Sequence, residues 1–259
     1  MDFFDLVLTA GGGILAGLVG ALMGLGGGLI AVPFLNLGLG LPIHEAAAAG
    51  LVSTLVVSCT AAGRYLRQGG LVDVYRALEI ELAAAAGGLA GGFVAGWLGG
   101  GIIQGLFALV MLYAGVQVVR SSSRPERPEA ACRDLARWRR CLAGCLCFLA
   151  GMLSGLLGIG GGVILVPILH LVLCMRFKSA AATSNFMMGM TAVPALCGFV
   201  ARSELVLAVS IPLALGVLAG ASIGAWLMPR LRASWLKITF ALLLFATAVE
   251  MAARALEAW

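Results

Sequence analysis

The sequence predicts an all-helical polytopic membrane protein built from two similar halves, and three observations carry that prediction. The first is composition. Apolar residues make up 61% of the 259 and charged residues only 11%, where soluble domains carry roughly 25% charged residues. The second is length: nearly every stretch between charged clusters can cross a bilayer, which takes about 20 apolar residues per helix. The third is an internal repeat. Residues 17–36 read GLVGALMGLGGGLIAVPFLN and residues 151–170 read GMLSGLLGIGGGVILVPILH. An offset of 134 matches Gly24 to Gly158, Gly26 to Gly160, Gly28 to Gly162 and Pro33 to Pro167. Gly88, Gly92 and Gly96 align more loosely with Gly216, Gly220 and Gly224, and Trp97 with Trp226.

Each half holds about five hydrophobic elements. In residues 1–119 they fall at roughly 5–23, 28–41, 45–66, 74–97 and 102–119. In residues 140–259 they fall at roughly 140–157, 161–175, 179–200, 205–228 and 234–253. Between the halves, 120–139 is a basic, Pro-rich linker containing SSSRPERPE. The second element of each half is short and follows a Gly-rich break. Residues 28–41 make about 21 Å of helix, less than the roughly 30 Å hydrocarbon core. Pro33 and Pro167 fall inside these short helices and bend them. The first element opens on Asp2 and Asp5 with no base, unlike a signal peptide, so it is expected to be retained.

The bases decide the orientation. If each Gly-rich motif merely interrupts one spanning helix, the halves are parallel and 12 of the 17 Lys and Arg fall inside. If the first two elements of each half form a hairpin, the second half is inverted and 15 of 17 fall inside. Only Arg202 and Arg254 are then outside. The positive-inside rule favours inverted repeats with both termini outside and basic cytoplasmic loops. Clustered bases, little soluble surface and no interleaved aromatics exclude nucleic acid as a partner.

The seven cysteines do not form a disulfide framework. Cys59, Cys147, Cys174 and Cys197 sit in apolar runs as small hydrophobes. Cys141 and Cys145 share a helical face, but no His or carboxylate joins them at ligand spacing, so no metal or cofactor is expected.

The GLGGG and GIGGG motifs lack the Walker Lys-Ser/Thr and a framing strand, so they are not nucleotide loops. Close helix packing accounts for one copy. Two copies in an inverted pair suggest half-helix starts meeting near the midplane, as in secondary transporters. Such starts offer unpaired N–H groups and about half a positive charge, and Gly26, Gly27, Gly28, Gly160, Gly161 and Gly162 have no side chains to shield them. Ser53 and Thr54 in the third element, and Thr183, Ser184 and Asn185 in its counterpart, add polar groups that are costly in lipid unless paired or wetted. The hydroxyls can also bond back to their own helix. Asn36 and His170 occupy matching repeat positions, and His170 could carry a proton. No Asp or Glu is read at mid-membrane: Asp73, Glu79 and Glu81 lie near the inner end of an element. Donors without a buried carboxylate suit an anion, and no catalytic constellation supports an enzyme.

These motifs resemble the sulfite exporter TauE/SafE family of membrane permeases. The marks are GLGGGLIAVPFL (24–35), GIGGGVILVPIL (158–169), RYLRQGGLVDV (64–74), ATSN (182–185) and GVLAGASIGAWL (216–227). The likeness covers nearly the whole chain, departing where GLVSTLVV lacks the family's Thr-Ser pair. It implies movement of a small anion such as sulfite, sulfoacetate or another sulfonate across the bacterial inner membrane by alternating access. The expected partners are that anion and the bilayer, with a homodimer left open. A non-transporting assembly or sensor component using the basic loop is the alternative.

Overall fold

The computed structural model describes residues 3–67, 72–122, 137–173, 175–228, 230, 242, 245–250 and 252–253. Most described residues are helical. The main helices are α1 (Phe3–Met23), α2 (Gly28–Pro33), α3 (Ile43–Arg67), α4 (Val74–Val94), α5 (Gly100–Ser122), α6 (Arg137–Leu157), α7 (Gly162–Pro167), α8 (Phe177–Ala201) and α9 (Leu207–Leu227), and residues 245–250 are helical as well. They coincide with the expected elements to within a few residues. Most of the expected element 234–253 and of the expected linker lies outside the described residues, as does Cys174.

Among the described residues, five helices are long and apolar enough to cross a membrane: α1, α3, α8, α9, and α4 over Ala77–Trp97. Their outward faces are apolar. Leu15, Leu82, Leu207, Leu215 and Trp97 are all more than 60% exposed, which would be an aggregation hazard in water and is what lipid requires.

The two short helices do not stop at their prolines. Each runs on into a π-helical turn, Phe34–Gly38 after α2 and Ile168–Val172 after α7. A proline cannot donate to the preceding turn, and the wider turn re-registers the backbone around it. The loosened ends are held by matching side chains. Asn36 Nδ2 donates to the Leu41 carbonyl at 2.8 Å, and His170 Nδ1 lies 2.7 Å from the Met175 carbonyl. Both bonds span five residues, and both partners differ by the repeat offset of 134.

Helix packing runs through glycines, as expected where lipid leaves no hydrophobic drive between helices. A Cβ on Gly216, Gly220 or Gly224 of α9 would run into the carbonyl of Ala10, Ile14 or Leu18 of α1. A Cβ on Gly87 or Gly91 of α4 would meet the carbonyl of Phe148 or Met152 of α6. Both registers rise together, so α1 runs parallel to α9, and α4 to α6. Gly88 and Gly92 of α4 likewise face the carbonyls of Thr191 and Ala195, so α8 is parallel to α4.

These registers correct the looser sequence alignment. Ile14 and Phe148 are repeat equivalents, and they are met by Gly220 and Gly87. The matching pairs are therefore Gly87 with Gly220 and Gly91 with Gly224, five residues from the alignment of Gly88 with Gly216. Trp97 and Trp226 are not equivalent. Two apolar clusters result. One is centred on α1, α2, α3 and α9, the other on α4, α6, α7 and α8.

Candidate substrate site at the crossing glycine turns

The two Gly-rich motifs turn alike up to their middle glycine and then differ. Gly24 (φ 72°) and Gly158 (φ 73°) end α1 and α6 in the left-handed conformation that favours glycine. Their N–H groups close the last turn on Gly20 O (3.0 Å) and Ser154 O (2.9 Å). Gly26 (φ 75°) and Gly160 (φ 79°) are left-handed too. Gly27 opens α2 in the right-handed region, whereas Gly161 opens α7 at φ 79°. At Gly26 and Gly27, successive residues of opposite hand point adjacent N–H groups into one concavity, a geometry suited to anions.

The turns are buried and interlock. A Cβ on Gly28 would meet the Gly158 carbonyl, and one on Gly162 would meet the Gly24 carbonyl. The flanking contacts are equally reciprocal: Gly24 rests on Ala181 of α8, and Gly158 on Ala47 of α3. Any side chain at these positions would force the halves apart.

Three stations of α3, Thr54, Ser58 and Tyr65, brace the crossing, and Ser58 bonds directly to the second half. Thr54 Oγ1 accepts from the Gly28 N–H at 3.2 Å and donates back to the Gly50 carbonyl at 3.0 Å. Its methyl and hydroxyl also abut Gly160 of the other turn. Ser58 donates to the Asn185 carbonyl at 2.6 Å, and Tyr65 donates to the Ala21 carbonyl at 2.8 Å. From α8, Asn185 Nδ2 donates to the same Ala21 carbonyl at 3.0 Å, and Ser184 donates to Gly24 O at 2.8 Å. Thus α8 clamps the end of α1 and α3 clamps the start of α2.

The symmetry breaks at the helix starts. Met188 stands where the repeat would place a second Thr54, and it lies against Gly162. No side chain caps α7. Two further atoms are buried without a partner: Ser53 Oγ, which lies against Gly27, and Asn185 Oδ1.

The structure therefore gathers Gly26, Gly27, Gly28, Gly160, Gly161, Gly162, Ser53, Thr54, Ser184 and Asn185 around one crossing. It does not bring Asn36, Thr183 or His170 there. Asn36 lies eight residues past Gly28, about 12 Å of helix, and accepts from Gln104 at 3.3 Å. Thr183 faces the start of α4, where it accepts from the Asp73 N–H at 3.1 Å. His170 caps its own turn and meets Phe177 edge-on at 6.1 Å between centroids. Back-bonding of hydroxyls is real at Thr54 and at Thr60, which donates to Val56 O at 2.7 Å. Sequence reasoning missed Tyr65, although it lies seven residues beyond Ser58 on the same face.

It did not foresee that Glu81 is buried. This carboxylate is 2% exposed, with neither oxygen hydrogen-bonded. Near the inner end of α4, it faces the helix packing rather than the surface. Of the cysteines, Cys147 is buried while Cys59, Cys145 and Cys197 are exposed.

The profile of the family described as sulfite exporter TauE/SafE matches residues 9–251. Relatives match between 72% and 96% of the chain. A probable membrane transporter protein of Xylella fastidiosa (strain Temecula1) is 28% identical over 255 residues, 96% of this chain and 95% of its own. One from Haemophilus influenzae is 26% identical over 209 residues, covering 79% and 76%. The probable membrane transporter protein YunE of Bacillus subtilis is 27% identical over 215 residues, covering 72% and 74%. No solved structure matches the chain.

Proposed function

We propose that this chain, which belongs to the sulfite exporter TauE/SafE family, is a permease for a small anion, sulfite or a sulfonate such as sulfoacetate, bound where the two glycine turns cross. Membership makes it a multi-pass membrane transporter. The nature of the cargo rests on one observation: a buried, unbonded Ser53 hydroxyl set against the Gly27 turn. A polar group left without a partner inside a membrane protein is costly, and a substrate oxygen would supply the missing acceptor. The uncapped start of α7 adds N–H donors from the opposite half. Asn185 Oδ1, an acceptor, takes a substrate O–H or a bridging water.

The parallel pairs α1–α9 and α4–α6, with α8 parallel to α4 and a five-residue turn reversing α8 into α9, support two inverted repeats. In that reading the halves exchange their outer helices. Alternating access is a rocking of the α1–α3–α9 group against the α4–α6–α8 group about the crossing turns. The basic loops are then cytoplasmic and the membrane is the bacterial inner membrane.

The test is flux through purified protein in liposomes. Wild type moves labelled sulfite or methanesulfonate faster than empty vesicles. Ser53→Ala removes a group that bonds to nothing, so it keeps the fold while cutting flux about tenfold, the equivalent of one lost hydrogen bond to a charged substrate. Undiminished flux in Ser53→Ala overturns the placement of the site.

A further inference from the structure

Resting on the permease reading, we infer that Glu81 is the carrier of a proton that moves with the anion. The second apolar cluster joins Ala77, Ile80 and Ala84 of α4 to residues of α6, α7 and α8. Ala77 and Ala84, four residues before and three after Glu81, lie on its face of the helix and are fully buried. Glu81 thus points into the packing between α4 and its neighbours, with 2% of its surface exposed and both oxygens unpartnered.

No nearby charge neutralises it among the described side chains. On α6, the buried Cys147 thiol lies within electrostatic reach. On α8 the charged residue is Lys178, at the helix start, which already holds an interaction of its own. On the turn after α7, His170 is bonded to the Met175 carbonyl. Just before α4 and on it, Asp73 and Glu79 each hold an interaction of their own. A bare carboxylate in this cluster would be a charge without counter-ion or donor, which membrane interiors rarely tolerate outside functional sites. With a proton bound, the packing is neutral.

Two features make this a coupling device rather than a packing accident. The repeat places Ala214 at the matching position of α9, so the acid is confined to one group of helices. And α4 is tied to the anion site. Gly88 and Gly92 of α4 rest against the backbone of α8, and α8 carries Ser184 and Asn185 into the crossing. Loosening of the α4–α6–α8 packing as this group rocks, with water reaching Glu81, releases the proton. Repacking requires that a proton be bound again. The anion then crosses with a compensating positive charge, as a symport whose direction the gradients set.

The experiment compares wild type, Glu81→Gln and Glu81→Asp in liposomes with labelled methanesulfonate, which holds one charge at all working pH values. A gradient of one pH unit drives about tenfold accumulation for one proton per anion. Wild type reaches that accumulation and loses it with a protonophore. Glu81→Gln exchanges methanesulfonate across the membrane but accumulates none, and Glu81→Asp restores accumulation. Infrared difference spectra at neutral pH show a protonated-acid carbonyl band in wild type that is absent in Glu81→Gln. Accumulation undiminished in Glu81→Gln, or absence of that band from wild type, overturns the proposal while leaving the permease reading intact. Absence of any sulfite or methanesulfonate flux in wild type overturns both.

Discussion

Ser53 and Thr54 are neighbours on α3, both hydroxyl-bearing and both fully buried, yet the structure assigns them opposite energetic roles. Thr54 Oγ1 satisfies the Gly28 N–H at the start of α2. Thr54→Val keeps the shape, removes the acceptor and leaves that N–H buried and unpaired, which costs about 1–3 kcal/mol. The new methyl also sits where a 3.2 Å hydrogen bond was, adding some crowding. The loss of the bond back to Gly50 is milder, since that carbonyl lies inside α3 and keeps its helical partner. Ser53→Ala removes a hydroxyl that bonds to nothing, so its stability change stays within about 0.5 kcal/mol. For a chain of this size roughly 2–4 °C of melting temperature corresponds to 1 kcal/mol. Thermal unfolding of the purified protein in detergent then shows Thr54→Val down by several degrees, Thr54→Ser close to wild type and Ser53→Ala unchanged. If Ser53→Ala melts as low as Thr54→Val, the hydroxyl has a partner and the reasoning that makes it available to a substrate fails.

Three further expectations test the fold. Gly87→Ala and Gly220→Ala drive a Cβ into equivalent carbonyls and each costs about 1–3 kcal/mol. Gly144→Ala, with open space around it, costs nothing measurable; equal melting temperatures for all three would refute the packing register. Asn36→Ala and His170→Ala each lose a turn cap worth about 1 kcal/mol, while His170→Asn restores both stability and proton-driven uptake; loss of uptake alone in His170→Asn would return the proton role to His170. Finally, Gly99→Cys in a background without other cysteines is labelled from outside intact cells by a membrane-impermeant maleimide. Labelling only after permeabilisation would reverse the proposed orientation.

Most of the architecture was legible because it depends on properties that do not need a third dimension. Helix ends follow apolar length, and the breaks follow glycines whose left-handed φ only glycine adopts cheaply. The register between α4 and α9 was not legible. Small residues recur every four positions along both helices, so a five-residue slip leaves the alignment almost equally good. Only the partner carbonyl, Phe148 for Gly87 and Ile14 for Gly220, removes the ambiguity. The same limit applies to polar side chains. A hydroxyl in an apolar run signals that something must satisfy it, but not whether the partner is its own helix, another helix or a substrate. Thr54, Ser58 and Ser184 turned out to bond across elements, and Ser53 to bond to nothing.

Glu81 shows where a further signal lay. Distance from the start of α4 placed it near an inner rim, because Val74 is only seven residues away. Its face tells a different story. Ala77, Glu81, Ala84, Gly88 and Gly91 step along α4 at intervals of three and four, a stripe of small residues into which one carboxylate is set. Such a stripe is the packing face of a membrane helix, so a charge within it is buried whatever its depth. Depth sets how much lipid surrounds a helix, and face sets whether a side chain meets that lipid or another helix. A reading by face would have identified the acid from the sequence. It also shows why the two halves cannot do identical work: the contacts that join them are reciprocal, but the hydroxyl at Thr54 and the acid at Glu81 have Met188 and Ala214 as their counterparts. Both departures lie in the first half, the hydroxyl on α3 and the acid on α4, so a symmetric frame carries asymmetric chemistry.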